Sequence, residues 1–240
     1  MNIALIGYGK MGKAIEQEAL ARNHTIQARI DLHNKEELKS LNPNNTDAVI
    51  EFTHPSSFEG NLHAVMALGI PMVTGTTGWH DNKEAVEAAV NKVKGSLIHS
   101  SNFSIGVNVL FMLNQRLAAI MNQYPEYDCY IEEQHHRHKA DAPSGTAHSL
   151  AQQVLAELER KNSIASDELR HRAPTDDELS VGYIRSGEII GTHRVAYTSE
   201  IDSIRIEHQA YNRRGFALGA VVAAEWIVGK TGIYEFSELF

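Results

Sequence analysis

The sequence predicts an α/β protein in two parts: a doubly wound parallel sheet, then a second α+β domain whose sheet is mixed or antiparallel. Three observations carry this. Up to about residue 103, short wholly apolar runs alternate with helix-compatible segments. The first run leads straight into Gly7-Tyr8-Gly9-Lys10-Met11-Gly12. Past Phe103 the rhythm changes to one long helix and several longer strands.

In order, apolar runs at 2–6, 26–30, 47–52, 70–74 and 96–99 read as strands, and 10–22, 56–68 and 82–93 as helices. Strands apolar throughout and alternating with helices imply a parallel sheet covered on both faces. Residues 105–122 read as a helix, with Val109, Met112, Leu113, Leu117 and Ile120 at helical spacing. A strand over 127–134 and a helix over 144–161 follow. Strands near 181–184, 189–197 and 204–210 are expected to form an antiparallel meander. The polar stretch 162–178 reads as a loop. A helix over 217–228 returns the chain to the first domain. The expected division is therefore 1–105 completed by 215–240, and 106–214.

Bulk properties exclude several classes. A net charge of −8 argues against a general nucleic-acid or anionic-membrane binder. No stretch approaches the ~20 apolar residues of a membrane span. The single cysteine, Cys129, rules out a disulfide framework and reads as a small buried strand residue. The expectation is a soluble, cytoplasmic protein, and Ile3-Ala4-Leu5-Ile6 reads as a strand rather than part of a signal peptide.

The glycine loop carries the cofactor expectation. Gly7 permits a tight turn, Gly9 admits a pyrophosphate to the backbone, and Gly12 lets helix and strand pack closely. Amides at the helix start, from Tyr8, Lys10 and Met11 onward, then face phosphate oxygens. Asp31, ending the second strand, stands where a carboxylate accepts from the adenosine ribose. This is a dinucleotide site of the Rossmann type, taking NADH, NADPH or both. Asp31 favours NADH, while Arg29 and Lys35 offer positive charge for a 2′-phosphate, so the preference stays open. Phe52-Thr53, Gly75-Thr76-Thr77 and Ser100-Ser101-Asn102-Phe103 follow later strands, where such a sheet opens its crevice.

The chemistry is expected in His135-His136-Arg137-His138-Lys139-Ala140-Asp141-Ala142-Pro143-Ser144-Gly145-Thr146, a basic island in an acidic chain. It would draw a small dianion. Ser144 reads as an N-cap, with Gly145 and Thr146 offering amides and a hydroxyl to a carboxylate. Metal binding, a bare surface charge run and general-acid work all fit three histidines. Arg137 and Lys139 would repel a divalent cation, which favours the acid, so no metal is expected.

The run HHRHKADAPSGTA resembles the signature of the 4-hydroxy-tetrahydrodipicolinate reductase (dihydrodipicolinate reductase) family. GYGKMG, EFTHP, GTTGW, SSNFSIGVNV, GEIIGTHRVAY and NRRGFALGA resemble its other blocks, in the same order along the whole chain. The resemblance implies reduction of a cyclic hydroxy-imine dicarboxylate by NADH or NADPH, with loss of water. It implies His135 as proton donor and Lys139 as a second donor. It also implies His136, Gly145, Thr146 and Arg213 as substrate contacts, nicotinamide-side contacts at 75–77 and 100–103, and a homotetramer formed through the second domain's sheet. Many members have one more residue in the glycine loop and an arginine where this chain has Leu32. The stretch 162–180 lacks the glycine-rich pattern of many relatives. Other readings are a related two-domain amino-acid dehydrogenase and a non-catalytic NAD sensor, though the latter would be expected to have lost His135 or Lys139.

Overall fold

The computed structural model describes the backbone of residues 1–240 and every side chain except those of His80 and Arg170. The chain divides into two compact units, Met1–Ile105 with Arg213–Phe240, and Gly106–Asn212.

The first unit is built on β1 (Asn2–Ile6), β2 (Thr25–Ile30), β3 (Ala48–Glu51), β4 (Met72–Thr74), β5 (Ser96–His99) and β11 (Gly232–Glu235). They form one parallel sheet in the order β11-β5-β4-β3-β1-β2. Strand alternation sends Ile3, Leu5, Ile50, Val73 and Ile98 to one face, under α1 (Lys10–Ala21) and α6 (Arg214–Ile227). Ala4, Ile6, Val49, Met72 and Leu97 face the other way, under α2 (Pro55–Leu68) and α3 (Lys83–Lys92). α6 lies very close to the loop after β5: a Cβ on Gly219 would stand 1.7 Å from the Phe103 carbonyl oxygen. β11 was not expected from the sequence. It is four residues long and only partly buried, so it carries little apolar signal.

The second unit holds α4 (Ile105–Met121, entering from the first unit), β6 (Asp128–His135), α5 (Gly145–Glu157), β7 (Ser163–Ala165), β8 (Glu178–Arg185), β9 (Gly191–Thr198) and β10 (Ser203–Ala210). Its sheet is mixed, in the order β10-β9-β6-β8-β7. The expected meander is therefore corrected. β9 and β10 form an antiparallel hairpin, but β6 lies between β8 and β9, parallel to one and antiparallel to the other. Of the apolar residues at helical spacing on α4, Leu117 is the one that packs partly against the core. Val109, Met112, Leu113 and Ile120 are exposed, while Leu110, Asn114, Ala118 and Met121 are buried. Buried Asn114 is accommodated because its amide donates to the Leu150 carbonyl (3.1 Å) and to Gln153 Oε1 (3.0 Å) on α5. Nor is 162–178 one loop. It contains β7, parallel to β8, and is tied down by buried Lys161, whose Nζ donates to the carbonyls of Asp176 (2.9 Å) and Glu178 (2.8 Å). Among the described residues, no helix is long and apolar enough to cross a membrane.

Candidate active site

In the first unit the strand order reverses at β1, so the loops after β1 and β3 diverge and leave a crevice. A cavity of about 580 Å³ lies there, lined by Gly7, Tyr8, Gly9, Asp31, Phe52 and Thr53 among others. The glycines divide the work as their spacing suggests. Gly7 has φ +92°, and a Cβ on it would meet the Phe52 carbonyl oxygen at 2.0 Å. Gly12 would meet the Gly7 carbonyl oxygen at 2.2 Å. Gly9 alone faces open space, at the N-cap of α1, and no side chain caps that helix start. Uncapped first-turn amides beside open space suit a pyrophosphate, so the residues present fit a dinucleotide. Lys10 and Met11 open α1.

Asp31 and Lys35 line the same cavity, whereas Arg29 is committed elsewhere. Its guanidinium pairs with Glu16, which also accepts from the Tyr8 hydroxyl. The later loops are knitted together by fully buried Glu51. Its carboxylate accepts from the hydroxyls of Thr53, Thr74 (2.5 Å) and Thr76 (3.0 Å). The Thr53 amide donates back to Thr76 Oγ1 at 2.8 Å. Gly75 lies against the Phe52 ring, where a Cβ would approach to 2.1 Å. Thr77 is exposed beside it. Phe52 and Phe103 rings sit 5.8 Å apart, and Ser100 and Asn102 close a turn by exchanging hydrogen bonds, with Ser101 exposed. Arg213 is the exposed N-cap of α6 and belongs to this first unit.

In the second unit, β6 ends on His135, and its alternation buries Cys129, Ile131, Glu133 and His135 in turn. Glu133 has no exposed surface. Its carboxylate accepts from His135 Nδ1, from Arg185 Nη1 (2.9 Å) and Nη2 (2.6 Å), and from the Ser144 amide (3.0 Å). Burial alone would push this carboxyl up, but His135 and Arg185 overcome it and hold it at about 2. Arg185 Nη2 also donates to the Asp141 carbonyl at 2.7 Å. Ser144 caps α5 as expected, accepting from the Ala147 amide, and its Oγ lies 3.1 Å from His193 Nε2. Burial pushes His193 down to about 4, so that ring is neutral at pH 7.

Lys139 Nζ forks onto both carboxylate oxygens of Asp141, at 2.7 and 2.8 Å. That ammonium holds the exposed Asp141 carboxyl below the usual range. Gly145 opens α5 with free space where a Cβ would stand, and Thr146 follows it half-buried. His136 is half-buried, and its Nδ1 has no hydrogen-bond partner among the described residues.

A family model for the N-terminus of dihydrodipicolinate reductase matches residues 1–103, and one for its C-terminus matches 106–240. The chain belongs to the dihydrodipicolinate reductase family. It is 42% identical over 239 residues to the 4-hydroxy-tetrahydrodipicolinate reductase of Christiangramia forsetii, covering 100% of this chain and 97% of that one. Against the enzyme of the same name from Neisseria meningitidis, identity is 35% over 81% of this chain and 72% of the relative. The fold is shared with the dipicolinate-bound dihydrodipicolinate reductase of Paenisporosarcina sp. TG-14, at TM-score 0.77 and 20% identity, over 100% and 99% of the two chains.

Within this reductase, sequence reasoning missed Glu133, Arg185 and His193. One signal was available. The period-two pattern Cys129-Ile131-Glu133-His135 puts a carboxylate and an imidazole on the buried face of one strand, where neither would stand unpaired. Nothing in the sequence marks Arg185 or His193 as their partners.

Proposed function

We propose that His135 and Lys139 are the proton donors of this enzyme and that Gly145 and Thr146, at the start of α5, hold a substrate carboxylate. As a member of its family the chain reduces 4-hydroxy-tetrahydrodipicolinate to tetrahydrodipicolinate with NAD(P)H, in the diaminopimelate and lysine route. Hydride and one proton enter and one water leaves. The dinucleotide supplies the hydride; the glycine loop, Asp31, Phe52, Thr53, Gly75–Thr77 and Ser100–Phe103 are the residues that would hold it. His136, Ser144 and Arg213 complete the substrate contacts. A helix start presents backbone amides to an anion, and nearby cations add field, which suits a dicarboxylate.

The observation that carries the residue assignment is the tie between donor and clamp. Glu133 binds His135 on one oxygen and the Ser144 amide on the other, so the acid and the helix start share one anchor. The test is a coupled assay in which pyruvate and aspartate semialdehyde generate the hydroxy-imine, following loss of reduced-cofactor absorbance. Substrate-dependent loss is expected, and its absence with both cofactors would sink the reading.

The chain is further proposed to work in the cytoplasm as a homotetramer built on the second unit's sheet. Exposed β10, and exposed Ile184 and Ile204 on that sheet, support self-association. Light scattering giving a monomer would overturn it.

A further inference from the structure

We propose that Glu133 is the positioning residue of the proton donor, fixing the His135 ring through Nδ1 so that Nε2 alone exchanges protons, and that Arg185 tempers this hold. The proposal rests on the reading of His135 as donor and adds how that donor is set.

A carboxylate accepts only, so the hydrogen bond between Glu133 and His135 requires a proton on Nδ1. When Nε2 gives up its proton the ring is left as the neutral Nδ1–H tautomer, with no rearrangement. Nε2 makes no hydrogen bond among the described residues, and Gly191 lies beside it: a Cβ there would stand 3.0 Å away. Glycine at 191 thus keeps the working nitrogen clear.

The carboxylate is saturated. Oε1 takes the Ser144 amide and Arg185 Nη2, and Oε2 takes His135 and Arg185 Nη1. All four acceptor positions are filled without exposed surface, so Glu133 is locked in place. A bare buried anion would bind the imidazolium too strongly to let its proton go. The bidentate guanidinium offsets part of that charge.

The other groups around His135 are few. His193, on β9, meets the ring edge-on at 5.1 Å between centroids, and burial keeps it neutral. Lys139, in the loop after β6, carries its counterion Asp141 with it. Glu133, paired with Arg185, is therefore the charge in direct contact with the His135 ring.

The experiment compares Glu133→Gln and Arg185→Gln with His135→Ala, reading kcat, KM and the pH profile. A general acid works only when protonated, so activity falls as pH rises past its alkaline limb. Removing the Glu133 charge should move that limb down by about one pH unit, and removing the Arg185 charge should move it up. Each variant should lose about tenfold or more in kcat, with KM for NAD(P)H unchanged. Loss of kcat with both limbs unmoved would mean the pair is scaffolding, and would overturn the proposal. Near-normal turnover in His135→Ala would instead overturn the donor reading beneath it. Should Glu133→Gln fail to fold, the native enzyme still decides by histidine nitrogen NMR. A protonated Nδ1 signal that disappears in His135→Gln supports the proposal, and an unprotonated Nδ1 overturns it.

Discussion

The two units present their ligand groups by opposite means. In the first, the crevice is made of backbone and void. Gly7 and Gly12 let main chain approach main chain, and Gly9 leaves the helix start bare. In the second, the site is made of side-chain charge sealed from water, with Glu133 holding an imidazole, a guanidinium and a backbone amide. A dinucleotide backbone needs a shape that fits. A proton donor needs its surroundings held to a fixed charge.

If that contrast is right, side-chain truncation should hurt chemistry in the second unit and leave the dinucleotide alone. His135→Ala and Lys139→Ala are expected to lower kcat by on the order of 10²–10⁴, with the Kd for NAD(P)H little changed in fluorescence titrations. Either variant retaining near-normal turnover would remove that residue from the reaction.

The contrast extends to acid, because backbone amides do not titrate and the buried network does. His193 is held near 4, so below about pH 6.5 the unfolded chain takes up a proton that the folded ring refuses. Stability falls from there down to pH 4. Glu133 is held near 2, so its contribution is whole above about pH 4.5 and is lost toward pH 2. Each shift corresponds to about 3 kcal/mol, from about 1.4 kcal/mol per pH unit. Urea unfolding between pH 7 and 3 should show the decline, and His193→Gln should flatten its upper part. A stability independent of pH over that range would contradict the burial described for both groups.

A smaller effect sharpens the first unit. Asp31→Ala should weaken NADH about tenfold and NADPH less, since a carboxylate accepts from ribose hydroxyls and repels a 2′-phosphate. Equal losses would take Asp31 out of the ribose contact. Smallest is Ser144→Ala, which removes a helix cap and should cost about 1 kcal/mol in thermal or urea melts. Because the Ser144 amide remains, its grip on Glu133 should persist.

The first unit was legible in the sequence because its strands are apolar throughout and its glycines are fixed by close backbone contact. All five early strands and three helices fall within a few residues of where periodicity put them. The second unit was less legible. Sequence neighbours usually pair in a sheet, but here β6, made some 40 residues earlier, separates β8 from β9. On α4, helical spacing identified the helix but not its buried face, since Val109, Met112, Leu113 and Ile120 are exposed. The face actually buried includes Asn114, whose side-chain NH2 donates to the Leu150 carbonyl and to Gln153 on α5, contacts that no local pattern reveals. The Ser144 cap could be read because it opens a helix, and it shares one segment with His135 and Lys139, the proposed donors. Glu133, Arg185 and His193 come from three strands and meet only in three dimensions.

The place of α6 in the chain has a consequence for how the protein is made. One face of the first sheet, with Ile3, Leu5, Ile50, Val73 and Ile98, shares its core with Ala217, Ala220, Val221 and Ala224 of that helix. Those residues are translated only after the whole second unit. At ribosomal rates, on the order of ten seconds separates the loop after β5 from its cover. Through that interval the nascent sheet has α1 alone on that face, and the edge where β11 will pair with β5 is open. The newborn chain is thus most vulnerable to sticking to its neighbours at the end that it was first to make.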